Sequence, residues 1–412
     1  MRRNALINRP DMFLLCITLI LVVCGVLLVL DTSYPTSGDQ SRYGNDIWYF
    51  AKRQTAYAAV GLLLMVLISH IPLHLIRRLS IALLLITISL LVYVLVNGIT
   101  INGSRSWGRL GPFLFQPSEL AKLALIVYMA RSLGRPGIFA KGRDKRWIAP
   151  LFWSGIVALL VVAERDFGTS VILFSIVLSM FTIAGAKRRY VALSAMVGFL
   201  AIFCAMNYLP HCRARVQAFR DPWTYYSHAG YQIVHSLIGL GTGGLTGVGL
   251  GQGRVKSYIP AAHTDYIYST LAEECGLVGS LGLIVLFAIF VVRAFAIAGK
   301  SKSLYGALLS AGVASSVGTQ ALINMAVATN SIPATGLPLP FISYGGSSLV
   351  TTLIGVGLIL SVSRNLEIEI PEEVVNESGF DRRRNGRTRL PSHSHSRGFA
   401  RSRSERRVTV RG

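Results

Sequence analysis

Charge is scarce in this chain. Asp, Glu, Lys and Arg make up only 15% of its 412 residues, where an ordinary soluble domain carries about a quarter. The scarcity is local. Residues 12–30 hold no charge, residues 79–104 hold none, and residues 266–292 hold only Glu273 and Glu274. A bilayer span takes about 20 apolar residues, so these runs exclude a soluble globular domain and predict an all-α polytopic membrane protein. Ten spans are expected, centred near residues 21, 62, 88, 126, 156, 176, 199, 281, 316 and 353.

Acids are scarcer than bases, 19 against 41, leaving a formal charge of +22. Such a surplus suggests nucleic acid, but topology accounts for it. With the N-terminus cytoplasmic, 29 of the 41 Lys and Arg fall on the side of both termini; without the tail the split is 17 to 12. The positive-inside rule then places both ends in the cytoplasm, and no nucleic-acid partner is implied. Small-residue cleavage signals are absent after the first apolar run, which ends at Asp31 and reads as an uncleaved anchor. Five cysteines lack metal or redox spacing and read as small apolar filler. No internal repeat is visible.

A membrane domain over 1–363 is followed by a tail over 364–412 that starts acidic and ends rich in Arg, Ser and Gly. That composition cannot bury a core and predicts disorder, with anionic lipid contact, partner docking or plain solubilisation as its roles. The longest extracytoplasmic loop is 209–265. In it Tyr231, Val234, His235 and Ile238 share one helical face and predict a short helix lying in the interface. Residues 239–253 follow with eight glycines in fifteen positions. Lacking a strand–turn–helix setting, they suit tight turns and close backbone approach better than a nucleotide loop.

What remains is ionisable side chains where apolar ones are cheaper, which marks functional candidates. In F-Q-P-S-E-L-A-K-L, residues 115–123, Ser118 reads as a helix cap after Pro117. Glu119 and Lys122 lie three apart on one face. They are either a structural ion pair or an anion site in which Glu119 holds Lys122. In G-S-R-S-W-G-R-L-G, residues 103–111, Arg105 and Arg109 flank Trp107, as in interfacial anchoring or a diphosphate clamp. In E-R-D-F-G-T, residues 164–169, Asp166 reads as the cap of the next span. Asp265 opens the eighth span, where capping is the bland role. Glu273 and Glu274 sit about 12–13 Å further along the axis and need partners, for which Arg or Lys of spans three and four are expected. In residues 328–349, Pro333, Pro338 and Pro340 break any helix, and Ser343-Tyr344-Gly345-Gly346 is small and polar. Broken backbone at membrane depth lines a buried or wet site.

Three of these stretches, F-Q-P-S-E-L-A-K, H-T-D-Y-I-Y-S-T-L-A-E-E-C-G-L-V-G and G-L-P-L-P-F-I-S-Y-G-G-S-S, together closely resemble the SEDS family (shape, elongation, division and sporulation) of FtsW, RodA and SpoVE. The resemblance runs from about residue 12 to 364, and N-D-I-W-Y-F-A-K-R-Q leans toward the FtsW/SpoVE side over RodA. It implies a peptidoglycan glycosyltransferase of the bacterial cytoplasmic membrane that polymerises lipid II and releases undecaprenyl diphosphate. It also implies a class B penicillin-binding protein as partner, within the division or elongation machinery. Asp265 falls on the family's key acid. Glu119 and Lys122, with Gln116, fall on its Q-P-S-E-x-x-K motif. A substrate wall of Arg105, Ser343 and Tyr344 is expected, supported by Glu273, Glu274 and Asp166. No protein metal ligands are assigned, and a divalent cation (Mg or Mn) is a candidate helper for the diphosphate. The family's Arg next to Trp is Ser106 here, its Q-P-D-L-G-T turn begins with Glu164, and Ala261 replaces its Glu. The other readings of the same residues are a lipid II flippase and a non-catalytic scaffold for the transpeptidase.

Overall fold

A computed structural model describes residues 10–37, 46, 48–101, 104–111, 113–135, 139, 147–208, 210–227 and 230–365. The basic tail over 366–412 lies outside the described residues. The chain is a multi-pass helical protein. Its helices are α1 Met12–Ser37, α2 Tyr49–His70, α3 Leu73–Asn97, α4 Pro117–Leu133, α5 Ile148–Ala163, α6 Phe167–Ile183, α7 Arg188–Tyr208, α8 Pro210–Arg220, α9 Tyr231–Gly243, α10 Ile267–Lys300, α11 Leu304–Ala328 and α12 Gly346–Arg364. Each of the ten expected centres falls inside a helix. By length and composition, α1, α2, α3, α10, α11 and α12 can cross a membrane, while α5 and α6 are shorter apolar helices. The most apolar stretches of α11 and α12 are 67% and 78% buried, against 28% for α2, α3 and α10. The first two therefore form the interior, and the others turn a broad apolar face outward, as lipid contact requires.

Two elements depart from the sequence reading. Residues 98–118, which join the third and fourth expected spans, contain β1 Ile99–Ile101, β2 Ser104–Leu110 and β3 Phe113–Phe115 in one antiparallel sheet. Arg109 pairs with Leu114 and Leu110 with Phe113. Along β2, Ser106 and Gly108 face inward while Arg105 and Arg109 are exposed. The alternation has period two, but its inner members are Ser and Gly, so it carried no apolar strand signal. The helix expected in the interface is α9. It packs lengthwise on α10, and its buried face differs from the expected one, with Ile233, Val234, Ser236 and Gly239 buried and Ile238 turned out. Small residues at Gly239 and Gly243 allow that approach, since a Cβ at Gly243 would run into the Ala272 carbonyl.

The glycine-rich stretch closes on a break in α10. Gly276, at φ 64 and ψ −162, interrupts that helix in a region open to glycine and costly for other residues. The loop supplies partners to backbone groups on both sides of the break: Leu277 N–H donates to Gly244 O (2.9 Å), Val278 N–H to Leu245 O (3.2 Å), and Val248 and Gly249 N–H to the Glu273 and Glu274 carbonyls (3.0 Å each). A Cβ at Gly247 would collide with the Glu274 carbonyl. Tight turns and close approach were the roles expected of these glycines.

Candidate functional site

Asp265 stands immediately before α10, at the end of α11 that carries Asn324 and Ala328. It does not cap α10: the capping position is Tyr266, with no side-chain bond. The Asp265 backbone carbonyl accepts from Asn324 Nδ2 (2.9 Å), which also donates to Leu337 O (2.8 Å). Its carboxylate receives no hydrogen bond among the described residues. It lies against Gly336, where a Cβ would be 3.8 Å from Oδ2. Burial pushes this carboxyl up to about 6, with the Arg215 guanidinium pulling the other way. Arg215, on α8, donates from Nη1 to Ala334 O (3.0 Å). Sequence reasoning passed over it.

One turn along α11 from Asn324, Gln320 donates to Pro338 O (2.8 Å) and accepts from Lys122 Nζ (2.7 Å). Lys122 Nζ is 2.9 Å from Glu119 Oε2, with the two side chains 5% and 1% exposed. Thr351 on α12 donates to the same Oε2 (3.2 Å). The cavity beside them, about 10 Å³, is the size of one water. The predicted ion pair therefore exists, but it is sealed between α4, α11 and α12, and Lys122 spends its donors inside the protein. The same polar chain links it to Asp265 through Gln320, the 337–338 carbonyls and Asn324.

The 329–345 segment is irregular, as its prolines predict, and Phe341 sits at φ 64, a strained value for a bulky side chain. Ser343 is committed to this backbone: its Oγ accepts from Leu339 N–H (2.9 Å) and its carbonyl accepts from Gln54 (3.2 Å). Tyr344 packs edge-on against Phe50 at 5.1 Å and donates its N–H to His263 O (2.8 Å). Burial lowers His263 to about 4, leaving it neutral at pH 7, and raises Tyr344 to about 12.

At the start of α4, the capping residue is Gln116, with Pro117 at the first helical position, where its missing N–H costs nothing. Ser118 is not the cap. Its Oγ donates to Asp166 Oδ2 (2.9 Å), and Gln116 Nε2 donates to the same oxygen (2.9 Å). Asp166 also caps α6 by accepting from Thr169 N–H (3.1 Å), as expected. Arg105 is exposed and donates from Nε to Gly98 O (3.1 Å). Arg109 shares its face of β2, four residues away.

Glu164 is the misfit in this turn. It is fully buried, both carboxyl oxygens lack a partner among the described residues, and burial, then the Asp166 charge, pushes it up to about 8. A neutral carboxyl here has nearly the shape and polarity of the Gln that the resembled motif carries. Because the folded state holds this proton above the ordinary value of 4.5, stability is greatest at acid pH and falls as pH rises toward 8. The cost is about 3 kcal/mol by pH 7. Glu164→Gln is expected to flatten that slope and raise the melting temperature at pH 8 more than at pH 5.5. Superimposable pH curves for the two proteins would refute the assignment.

Glu273 and Glu274 do not meet Arg or Lys of α3 or α4. Glu273 accepts from Arg254 and Val255 N–H (3.0 Å each), and Glu274 accepts from Gly251 (3.1 Å) and Gly253 (3.2 Å). Lys256 Nζ bridges Glu274 Oε1 (2.7 Å) and Asp31 Oδ1 (2.6 Å). The pair fastens the 251–256 stretch to α10. Beneath it an apolar groove of about 680 Å³ lies between α1 and α10, lined by Leu27, Leu28, Leu283 and Leu286 among others. Around Asp265 the charged groups are one carboxylate and one guanidinium. Among the described residues no three His, Cys, Asp or Glu gather to hold a metal. This donor set does not hold a divalent cation by itself.

A family model described as cell cycle protein, covering FtsW, RodA and SpoVE, matches residues 11–368. A probable peptidoglycan glycosyltransferase FtsW of Geobacter sp. (strain M18) is 37% identical over 359 residues, 86% of this chain and 97% of that protein. Stage V sporulation protein E of Bacillus subtilis (strain 168) is 35% identical over the same length and coverage. Among solved structures, a chain from work described as structural coordination of polymerization and crosslinking by a peptidoglycan synthase complex aligns with TM-score 0.71 and 31% identity. It covers 86% of this chain and 98% of that one. The rod shape determining protein RodA of Thermus thermophilus aligns with TM-score 0.66 and 29% identity, over 87% and 98%.

Proposed function

The chain belongs to the FtsW, RodA and SpoVE family of cell cycle proteins, and from that premise we propose that it is a peptidoglycan glycosyltransferase. It polymerises lipid II at the outer face of the bacterial cytoplasmic membrane, on the FtsW/SpoVE side of the family, with a class B penicillin-binding protein as partner. The observation that carries the reading is Asp265: a carboxylate that receives no hydrogen bond among the described residues, held against the proline-broken segment at Gly336, with Arg215 as its neighbouring charge.

The β-1,4 linkage forms from an α-linked lipid diphosphate with inversion. The acceptor hydroxyl attacks the anomeric carbon and loses its proton to Asp265, while the bond to the diphosphate breaks and undecaprenyl diphosphate departs. A base with a value near 6 is ionised at neutral pH yet still basic enough to take that proton. The leaving diphosphate needs positive charge. Arg215 supplies it more readily than Lys122, whose ammonium is sealed against Glu119 and Gln320. Gly336 keeps the carboxylate approachable, and the α1–α10 groove offers apolar lining for a polyprenyl chain.

The reading is tested by reconstituting the purified protein with its penicillin-binding partner in liposomes and adding labelled lipid II. A ladder of glycan strands is expected. Lipid II that crosses the bilayer without being polymerised would overturn the reading in favour of a flippase, and no turnover of either kind would leave only a scaffold.

A further inference from the structure

The outer loop displays aromatic rings that the described residues leave partly exposed. Tyr226 (43% exposed) and Tyr258 (56%) flank His235 of α9. His235 lies between Tyr226 and Tyr258, with ring centroids at 5.8 and 5.4 Å and both interplanar angles 26°, while Tyr231 closes on it at 4.3 Å. The arrangement is held rigidly: His235 Nδ1 is 3.0 Å from Tyr231 O, and the next residue, Ser236, donates to Ala328 O (2.7 Å) at the end of α11.

The height of this cluster follows from the helix pair beneath it. α9 and the first part of α10 run side by side in the same direction, with Gly239 beside Ser269 and Gly243 beside Ala272. One turn back from Gly239 is His235, and one turn back from Ser269 is Asp265. The rings therefore stand at the end of the helix pair where α10 begins, two residues after Asp265. Outward apolar side chains on α10 begin at Leu277 and Val278, about 15 Å further along the axis from Ile267. That offset argues against the aromatic belt of the membrane interface, which belongs at the depth of Leu277.

We propose that this ring cluster binds the glycan product, so that sugar units leaving Asp265 lie across Tyr226 and Tyr258. The inference rests on the glycosyltransferase reading and deepens it. A pyranose has a flat C–H face rimmed by polar groups, and it is recognised by flat, rigid apolar surfaces whose edges hydrogen-bond. Tyrosine provides both in one side chain. An aliphatic patch would suit a lipid tail or a partner helix; a stacked set of rings at that end of the helix pair suits a sugar polymer.

The test uses the full chain with its partner. Lipid-free glycan strands of defined length are titrated onto wild type and onto Tyr226→Leu/Tyr258→Leu, which keeps apolar bulk but removes the flat faces, with Tyr226→Phe/Tyr258→Phe as the conservative control. Affinity is expected to fall about tenfold in the Leu variant and to recover in the Phe variant, and strands made from lipid II are expected to shorten in the Leu variant alone. Equal affinity for all three proteins would overturn the proposal, even where wild type polymerises normally. So would loss of the penicillin-binding partner with glycan binding intact, which assigns the rings to a protein contact. Failure of wild type to polymerise would strike the enzymatic reading instead, and the titration reports on the rings independently of turnover.

Discussion

Asp265→Asn, assayed with its penicillin-binding partner and labelled lipid II, is expected to lose about 10²–10⁴ of the polymerisation rate, the usual contribution of a positioned base. The substitution keeps size and shape and removes only the ability to take a proton. Among the described residues no hydrogen bond to the carboxylate is broken by it, so the loss should come without a matching loss of stability. Wild type should also show an acid limb. The working form is the carboxylate, which burial holds to a value of about 6, so the rate is full above that pH and declines as pH falls through it. The Arg215 charge favours the ionised form. Arg215→Met should therefore move the acid limb to higher pH as well as slow departure of the diphosphate. An Asn variant as fast as wild type, or an acid limb that stays in place when Arg215 is gone, would remove Asp265 from the role of base.

The fold was more legible than the site, for a physical reason. Gaps in charge report lipid contact directly, so every expected span centre lies in a helix. The Glu119–Lys122 pair and the Asp166 cap were legible because both follow from local spacing. Most partners of Glu273 and Glu274 were not, because they are backbone amides 18 to 23 residues upstream, and an amide leaves no mark in residue type; the one side-chain partner, Lys256 on Glu274, comes from that same stretch and not from α3 or α4. Arg215 was missed because a basic residue on a short amphipathic helix in an outer loop looks solvated. Gln320 and Asn324 did leave a signal: two amides four residues apart in an apolar helix predict a polar face turned inward. Their bonds to the 337–338 carbonyls join the two halves of the site.

Lys122→Met is expected to cost about 3–5 kcal/mol of stability, because it strands a buried carboxylate. Among the described residues Glu119 would keep the Thr351 hydroxyl at 3.2 Å, and Gln320 Oε1 would lose the donor it holds at 2.7 Å. Removing both charges with Lys122→Met/Glu119→Leu should recover most of that loss, since matched apolar groups often replace a buried pair at little cost. Denaturation of the single and double variants in detergent measures the coupling between the two sites. The double variant also separates two roles for Lys122. As a positioning residue it acts by fastening α4 to α11 and, through Gln320, to the segment that faces Asp265, so regained stability should bring polymerisation back with it. If stability returned while strand synthesis stayed absent, the ammonium itself would be needed at the diphosphate, and the sealed pair would have to open during turnover. The cavity of about 10 Å³ beside Lys122 favours the first outcome, because it has no room for a phosphate without separating α4 from α11 and α12.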